Sequence, residues 1–223
     1  MALIQLSQIT KSYPDGENKR NFVLNGLNME VATGEFVAIT GASGSGKTTL
    51  LSVLGLLLPP DEGSYCFDGG EMLVMDTDQA SIRNRKIGFV FQEHRLLPQF
   101  TVLDNILLPT LASQSQADDL QTAYACQLME LTGIADLADK YPSTLSGGES
   151  SRTALCRALV MAPALLLADE PTGQLDVANS RNIVSLLKQL NKELGTTILM
   201  VTHSAEVAAA AQRILTLENG AIQ

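Results

Sequence analysis

Residues 41–48 read GASGSGKT and match the pattern G-x-x-x-x-G-K-[ST], in which a glycine-rich turn binds the phosphates of a nucleotide. Glycines let backbone N–H groups approach an anion closely, the lysine reaches the β- and γ-phosphates, and the threonine hydroxyl binds Mg²⁺. The alternative is a chance match without any such contact. We therefore predict a nucleotide-phosphate site, called here the phosphate loop. Its predicted contact residues are Gly41, Ser43, Gly44, Ser45, Gly46, Lys47, Thr48 and Thr49.

A second pair of reactive groups, Asp169 and Glu170, follows the apolar run of residues 164–168 and precedes Pro171. At the end of a strand in the same parallel sheet as a phosphate loop, Asp169 would hold Mg²⁺, and Glu170 would be the general base or would position the attacking water. Because proline biases the preceding residue towards extended backbone, we expect Glu170 to be extended and the two carboxylates to diverge. The alternative is a solvated turn after a strand.

A third motif, LSGGE at residues 145–149, is typical of a helix N-terminus. Ser146 and Glu149 can form a capping box, and Gly147 and Gly148 let backbone N–H groups approach an anion. From the residues alone, a plain helix start and an anion-binding helix start are equally open.

The phosphate loop requires a strand before it and a helix after it. Residues 35–40 are apolar and β-branched, as in a buried strand, and residues 49–58 predict a helix that Pro59 and Pro60 end. The start of such a helix directs backbone N–H groups and a positive dipole end at the loop.

The rest of the chain predicts an α/β domain with a helical insertion. Helices alternate with strands after Tyr141, which indicates a parallel sheet, whereas residues 103–137 show only helical periodicity after a capping box at Thr101 and Asp104. Residues 219–220 predict a hairpin turn. The other predicted strands cover residues 4–10, 22–31, 64–67, 86–91, 164–168 and 196–202, with a loop over residues 13–16. The other predicted helices cover residues 149–161, 179–194 and 204–213.

The composition excludes several classes of protein. The 223 residues carry a formal net charge of −9, which argues against nonspecific nucleic-acid binding and against a basic membrane-surface patch. The apolar runs are too short to span a bilayer, and the start lacks the pattern of a signal peptide. We therefore expect no direct membrane insertion, and any membrane role would come through a partner chain. The three scattered cysteines favour buried or idle thiols in a reducing compartment.

Together these motifs resemble those of the nucleotide-binding subunit of ABC (ATP-binding cassette) transporters. The phosphate loop matches Walker A, residues 145–149 match the ABC signature, and residues 165–170 match Walker B with its catalytic glutamate. The resemblance implies an α/β P-loop NTPase with the ABC ATPase fold, which has a mostly parallel core sheet, an antiparallel β subdomain and an inserted helical subdomain. It implies a single domain in which residues 1–91 and 156–223 form the core and residues 92–155 form the helical signature subdomain.

The resemblance also assigns roles to four other residues. Tyr13 would stack on adenine, Gln92 would contact Mg²⁺ and the attacking water, Asp176 would communicate across a dimer, and His203 would touch the γ-phosphate. Their plainer alternatives are a locally packed aromatic ring, a polar group at a strand end, a helix N-cap and a satisfied histidine, respectively. His94 matches no catalytic position, and we expect it at the surface.

The implied catalytic residues are therefore Glu170, His203 and Gln92. The implied metal ligands are Thr48, Gln92 and Asp169, and the implied cofactors are ATP and Mg²⁺. The implied nucleotide contacts outside the phosphate loop are Tyr13, Ser146, Gly147, Gly148 and Asp176.

The family resemblance further implies partners. Two copies would form a head-to-tail homodimer around two ATP molecules, each held between the phosphate loop of one copy and residues 146–148 of the other. The dimer would lie at the cytoplasmic face of the inner membrane, as a peripheral protein bound to a transmembrane permease. Residues 96–98, 100–101 and 105–109 are similar to the lipoprotein-release and macrolide-exporter branch, which favours export or extraction of a lipid-like, lipoprotein or hydrophobic cargo.

Two other functions stay open. One is an ATP-dependent regulatory scaffold that acts through a membrane partner on cell-wall or division enzymes. The other is an ABC protein of DNA repair or translation, although the sequence shows no coiled-coil insertion, second cassette or basic patch. Ser150 and Ser151 stand where relatives commonly have Gln-Gln or Arg-Gln, and Cys156 and Gln174 also depart from the usual pattern. These departures can tune the rate or the dimer contacts.

Overall fold

The computed structural model describes residues 1–16, 19–75, 77–112 and 117–223. Within these ranges the chain forms two β-sheets, seven α-helices and three 3₁₀ helices. The strands are β1 (Ala2–Pro14), β2 (Arg20–Ala32), β3 (Phe36–Thr40), β4 (Glu62–Phe67), β5 (Gly70–Glu71), β6 (Ile87–Val90), β7 (Leu165–Asp169), β8 (Thr197–Val201), β9 (Arg213–Glu218) and β10 (Ala221–Ile222). The α-helices are α1 (Lys47–Leu54), α2 (Gln79–Lys86), α3 (Val102–Leu107), α4 (Asp119–Thr132), α5 (Gly147–Leu159), α6 (Val177–Leu194) and α7 (Ala205–Ala208). The 3₁₀ helices cover Leu108–Ala112, Ala135–Leu137 and Pro142–Thr144.

The larger sheet has six strands in the order β10-β9-β3-β8-β7-β6. Its neighbouring strands are parallel except for β10, which pairs antiparallel with β9. Asn219 and Gly220 between them both have left-handed backbone, with φ of 50° and 78°, as a tight hairpin turn requires. The predicted parallel sheet and terminal hairpin are therefore confirmed.

The central strands β3, β8 and β7 of the larger sheet are buried on both faces. In β8, Leu199 and Val201 belong to a core shared with α1 and the smaller sheet, whereas Ile198 and Met200 belong to a second core shared with α3 to α6. Because successive side chains of a strand point to opposite faces, both sets must be apolar. This explains why these central strands are almost entirely apolar.

The smaller sheet is antiparallel, with the strand order β2-β1-β4-β5, which confirms the predicted antiparallel β subdomain. β1 pairs with β2 as far as Pro14, which lies opposite Arg20. The expected loop over residues 13–16 is therefore wrong at its first two positions, because cross-strand pairing extends that far. The N–H of Asn25 in β2 donates to the carbonyl of Gly220 (2.9 Å), so the two sheets are tied together at this turn.

The helical insertion begins at the predicted capping box. The Thr101 hydroxyl accepts from the N–H of Asp104, and the Asp104 carboxylate accepts from the N–H of Thr101, both at 3.1 Å. The predicted helical stretch contains α3 and α4, and its residues 113–116 lie outside the described residues. α5 continues from this insertion to the core and packs beside β6. The boundary expected at residue 155 thus lies inside one continuous helix.

Three elements differ from their predictions. α1 ends at Leu54 rather than residue 58, because the Leu54 carbonyl accepts from the hydroxyl of Tyr65 (2.8 Å) and Gly55 caps the helix. The sequence pattern does not predict α2, because no residue of this helix is buried and so it has no apolar periodicity. The helix expected over residues 204–213 is only the short α7, because Arg213 already pairs with Val37 in the sheet.

A carboxylate links the smaller sheet to the segment after α1. Asp61 accepts from the Lys11 ammonium, from the Ser12 N–H and from the Ser12 hydroxyl, each at 2.8 Å. The hydrogen bonds from Lys11 and Ser12 lower the pKa of Asp61 to about 2. Because this pKa is below that of an unfolded aspartate, the ionised side chain stabilises the folded state.

We predict that Asp61→Asn lowers the free energy of unfolding by about 1 kcal/mol at pH 7, the size of a solvent-accessible ion pair with charged hydrogen bonds. A group with a depressed pKa contributes fully above its unfolded pKa of about 4 and loses this contribution as the pH falls. The difference between parent and variant should therefore shrink from pH 4 towards pH 2 in urea unfolding. Asp68→Asn, which removes the exposed pair with Lys86, is the control and should have a smaller effect. A difference that stays constant down to pH 2 would contradict the assignment.

Candidate functional site

A cavity of about 400 Å³ opens at the carboxyl edge of the larger sheet, within the size range of small-molecule sites. β3, β8 and β7 end at this edge, and β8 lies between the strand of the phosphate loop and the strand of Asp169. Parallel strands bring their carboxyl ends together, so side chains distant in sequence meet here. The cavity is lined by Val23, Ser43, Gly44, Gly46, Lys47, Thr48, Thr49, Gln92, Asp169, Glu170, Val201 and His203.

The helix that follows the phosphate loop has no side-chain cap. α1 begins at Lys47, and its N-cap residue Gly46 has left-handed backbone and provides no side-chain hydrogen bond. In the described chain, each of the other six α-helices has a capping side chain. The first-turn N–H groups of α1 therefore face the cavity without a side-chain acceptor, which is the arrangement that binds phosphate at a helix start.

The remainder of the loop also has the features of an anion site. Among the described residues, the buried Ser45 hydroxyl has no hydrogen-bond partner. A Cβ on Gly44 would meet no atom within 4 Å, so the backbone there is open to the cavity, whereas a Cβ on Gly41 would lie 2.5 Å from the carbonyl oxygen of Leu217. The loop is thus open to the cavity at Gly44 and tightly packed at Gly41, beside which the unpartnered Ser45 hydroxyl lies. These residues fit a phosphate group.

Lys47 is the first residue of α1, and its side chain reaches back to the start of the phosphate loop. Its ammonium donates to the carbonyl oxygens of Gly41 (2.9 Å) and Ala42 (2.8 Å), both in the same loop. The Lys47 side chain therefore folds back over the phosphate loop and holds a positive charge at the cavity wall.

Asp169 ends β7 opposite the first turn of α1. The Thr48 hydroxyl donates to its carboxylate at 3.4 Å. Burial raises the pKa of Asp169 and the charge of Glu170 adds to this shift, although the Thr48 hydrogen bond and the Lys47 charge oppose it. A cation beside the carboxylate would favour its ionised form, and a carboxylate with a hydroxyl offers the oxygen ligands that Mg²⁺ prefers.

Glu170 and His203 form a hydrogen-bonded pair. The Nδ1 of His203 is 2.9 Å from Oε1 of Glu170; the Glu170 side chain is largely buried and the His203 side chain is largely exposed. The extended backbone expected at Glu170 is wrong: its φ is 46°, because its carbonyl accepts from the N–H of Gly173 (3.0 Å) in a turn that starts directly after β7. The two neighbouring carboxylates still have different partners, Thr48 for Asp169 and His203 for Glu170.

Gln92 follows β6 and reaches the cavity from its other side. A Cβ on Gly173 would lie 3.0 Å from the amide nitrogen of Gln92, so the two segments are in close contact. Only a glycine at position 173 leaves room for this side chain without a shift.

Seven predicted nucleotide contacts do not line this cavity. In the part of the chain that the structure describes, its walls do not include Tyr13, Ser146, Gly147, Gly148 or Asp176, nor the loop residues Gly41 and Ser45, which lie on the packed side of the phosphate loop. The capping box predicted at residue 146 is present, because the Ser146 hydroxyl accepts from the N–H of Glu149 (3.3 Å) and the Glu149 carboxylate accepts from the N–H of Ser146 (2.7 Å).

The signature segment packs against the start of α6. A Cβ on Gly148 would lie 3.0 Å from Oδ1 of Asn179, and the side chain of Asn179 donates to Asp176 (2.7 Å). Asp176 is also the N-cap of α6, as one alternative had it, because it accepts from the N–H of Asn179 (2.8 Å). Asn179 thus links Asp176 to the signature segment, and neither Asp176 nor residues 147–148 line the cavity.

Two residues near the site were not recognised in the sequence. Val23 in β2 lines the cavity, and its carbonyl oxygen would lie 2.7 Å from a Cβ on Gly46. No local motif could have indicated this, because β2 belongs to the other sheet. His94 is half-buried and hydrogen-bonded to Ser151 rather than exposed at the surface as expected.

Comparison with known proteins agrees with this geometry. The family described as "ABC transporter" matches residues 24–173. The chain belongs to the ABC transporter family. Across 99% of its length it is 45% identical to the lipoprotein-releasing system ATP-binding protein LolD of Bordetella pertussis, of which it covers 95%. Across its full length it is 44% identical to the macrolide export ATP-binding/permease protein MacB of Syntrophobacter fumaroxidans, but it spans only 31% of that protein.

Solved ABC cassettes have the same fold. A dimeric structure of MJ0796, a bacterial ABC transporter cassette, is 38% identical, with a TM-score of 0.88, and the match covers 99% of this chain and 96% of that one. A dimeric post-hydrolysis state of MJ0796 bound to ADP and Pi matches with a TM-score of 0.85 at 37% identity over the same shares of the two chains. This chain is therefore an ABC ATPase cassette that binds and hydrolyses ATP. In the described residues, no helix has the length and apolar character to cross a membrane.

The contact between β2 and the phosphate loop gives a testable prediction. Gly46 and Gly44 both have positive φ (102° and 78°), but only a Cβ on Gly46 would collide with Val23. We expect Gly44→Ala to lower the free energy of unfolding by about 1 kcal/mol through backbone strain alone, and Gly46→Ala by about 3 kcal/mol. Denaturant unfolding of both variants measures the difference. Equal effects would show that β2 does not shape the loop.

Proposed function

We propose that two copies of this chain bind two ATP molecules head to tail and hydrolyse them to drive a separate transmembrane permease. The observation that carries the proposal is the separation of two parts of the nucleotide site. The phosphate loop, Asp169 and Glu170 line one cavity, whereas the signature segment lies on α5 outside it. A second copy would bring its own signature segment over the open side of the cavity, as the dimeric state of MJ0796 supports.

In this proposal the residues of the cavity have separate tasks. The first-turn N–H groups of α1 and the Lys47 ammonium bind the β- and γ-phosphates. Glu170 accepts a proton from the attacking water, and the hydrogen bond from His203 at 2.9 Å holds the Glu170 carboxylate in place. Gln92, held against Gly173, orients the water from the opposite side.

We assign Mg²⁺ to the space between α1 and β7. The Thr48 hydroxyl, the Asp169 carboxylate and the Gln92 amide oxygen would hold it together with phosphate oxygens. When bound, Mg²⁺ would neutralise negative charge on the transferred phosphoryl group. The raised pKa of Asp169 supports this assignment, because a buried carboxylate lacks a full counter-charge from the protein alone.

The contacts outside the cavity are proposed to form across the dimer. Ser146, Gly147 and Gly148 would close the cavity of the other copy, and Asp176 would respond to this closure because Asn179 links it to the signature segment. Tyr13, partly exposed at the end of β1, would stack on adenine.

A groove beside Gln92 is the surface we assign to the permease. It has a volume of about 820 Å³ and lies between β6 and the 3₁₀ helix Leu108–Ala112, with Phe91 and Leu111 among its apolar walls. Because Gln92 directly follows Phe91, a segment docked here would sense the state of the cavity. The names of the relatives favour a lipoprotein or another hydrophobic cargo. In this proposal the dimer is peripheral on the cytoplasmic face of the inner membrane.

We predict that Lys47→Ala weakens ATP binding at least 100-fold, because it removes a charged hydrogen-bond donor to the phosphates. Isothermal titration with a non-hydrolysable ATP analogue and Mg²⁺ measures the dissociation constant. Lys192→Ala, which removes an exposed lysine from α6, is the matched control and should leave the affinity unchanged. Unaltered affinity in Lys47→Ala would show that the nucleotide binds elsewhere.

We predict that Glu170→Gln retains ATP binding but lowers turnover at least 100-fold, because the amide cannot accept the proton. Sedimentation should then show a dimer with ATP and a monomer with ADP. Glu193→Gln on α6 is the control and should hydrolyse ATP at the parental rate. Parental turnover in Glu170→Gln would refute the role of Glu170, and a monomer with bound ATP would refute the dimer. A regulatory scaffold differs from a transporter in that Glu170→Gln would still recruit its membrane partner and support its output.

A further inference from the structure

The segment directly after Gln92 has a strained backbone. His94 and Arg95 are consecutive non-glycine residues with left-handed φ, 55° and 50°. Such a conformation is unfavourable for residues other than glycine and persists only where surrounding contacts hold it. The contacts that hold His94 and Arg95 therefore also hold the backbone of Gln92, which lies two residues before His94.

α5 supplies these contacts. The guanidinium of Arg157 donates to the carbonyl oxygen of Arg95 (2.7 Å) and to that of His94, so one side chain bridges both strained residues. The guanidinium of Arg95 in turn lies 4.4 Å from the ring centroid of Phe91, on the other side of Gln92 in sequence. The segment is thus fixed to the C-terminal half of α5.

A second link reaches the first turn of α5. The Nε2 of His94 is 2.7 Å from the Ser151 hydroxyl, and that hydroxyl is 3.0 Å from the carbonyl oxygen of Gly147. A carbonyl only accepts, so Ser151 donates its single hydrogen to Gly147 and accepts from His94, whose Nε2 carries the proton. Burial lowers the pKa of His94 and the Arg157 charge adds to this shift, which favours the neutral ring. Ser151 is only 3% exposed, so water cannot readily replace the imidazole.

Two hydrogen bonds therefore join the Gln92 segment to the signature segment within one subunit. Gly147 is one of the residues proposed to meet the nucleotide of the second copy, whereas Gln92 lines the cavity of its own copy.

We propose that His94 and Ser151 are positioning residues for ATP hydrolysis, whose hydrogen bond makes Gln92 and the signature segment move as one unit. This inference rests on the proposed function, because it requires that both elements contact nucleotide during turnover. Neither residue touches ATP in this account. Breaking the bond should thus slow the chemical step and leave nucleotide affinity intact.

The test is a double-mutant cycle on the full-length chain with His94→Ala, Ser151→Ala and the double variant. Steady-state ATP hydrolysis gives kcat and KM, titration with a non-hydrolysable ATP analogue gives the affinity, and thermal unfolding confirms the fold. We expect each single variant to lower kcat about tenfold, the effect of one buried hydrogen bond, with affinity within about twofold of the parent. The double variant should be no slower than the slower single variant, because both remove the same interaction.

Three further variants separate positioning from general destabilisation. Ser151→Thr keeps the hydroxyl and His94→Gln places an amide donor near the Nε2 position, so both should recover most of kcat. Ser64→Ala removes an exposed hydroxyl from β4, for which the described residues show no side-chain hydrogen bond, and should match the parent. Multiplicative effects in the double variant, parental kcat in Ser151→Ala, or loss of ATP affinity without loss of kcat would each overturn the inference.

Failure of this inference is distinguishable from failure of the proposed function. If the parent hydrolyses ATP and Glu170→Gln does not, while Ser151→Ala retains the parental kcat, only the role of the His94–Ser151 pair is refuted. If the parent does not hydrolyse ATP, or if Glu170→Gln stays monomeric with bound ATP, the proposed function itself is refuted.

Discussion

The shared carboxyl edge of β3, β8 and β7 is the constraint on which the site depends. Each strand is buried on both faces, so its position is determined by two apolar cores rather than by the reactive groups at its end. Parallel pairing then places the phosphate loop, His203 and Asp169 at one edge although they are far apart in sequence. Stable packing thereby supplies a preorganised arrangement of charges, which is what catalysis by positioning and electrostatics needs.

The phosphate loop depends in addition on the smaller sheet. Val23 in β2 and Leu217 in β9 both press on loop glycines, which leaves the opposite side of the loop open to the cavity. The hydrogen bond between Asn25 and Gly220 holds β2, which carries Val23, next to the hairpin that carries Leu217. An anion site made of backbone N–H groups is therefore shaped by residues that carry no charge themselves.

α5 connects the signature segment, the segment after Gln92 and the core of the domain. Its first turn carries the signature segment, its second turn begins at Ser151, and its last turn carries Arg157; the helix also packs beside β6 in the core. Because a helix transmits displacement along its axis, a change at the cavity that moves Gln92 would reach the signature segment without passing through a flexible linker. Because α5 is continuous through residue 155, the core and the helical subdomain are not separated by a break at that residue.

The sequence by itself determined the chemistry of the site and the fold class. The spacing of glycines, Lys47 and Thr48, and the carboxylates after an apolar run, are local patterns whose meaning does not depend on distant residues. Tertiary structure alone decided the rest. The turn to Gly173 overrides the backbone preference of Glu170 before proline, and pairing in the sheet ends the last helix early. Val23 reaches the cavity from the smaller sheet, and His94 is held by Ser151 of α5. These features arise from contacts between segments far apart in the chain, which local propensity does not encode.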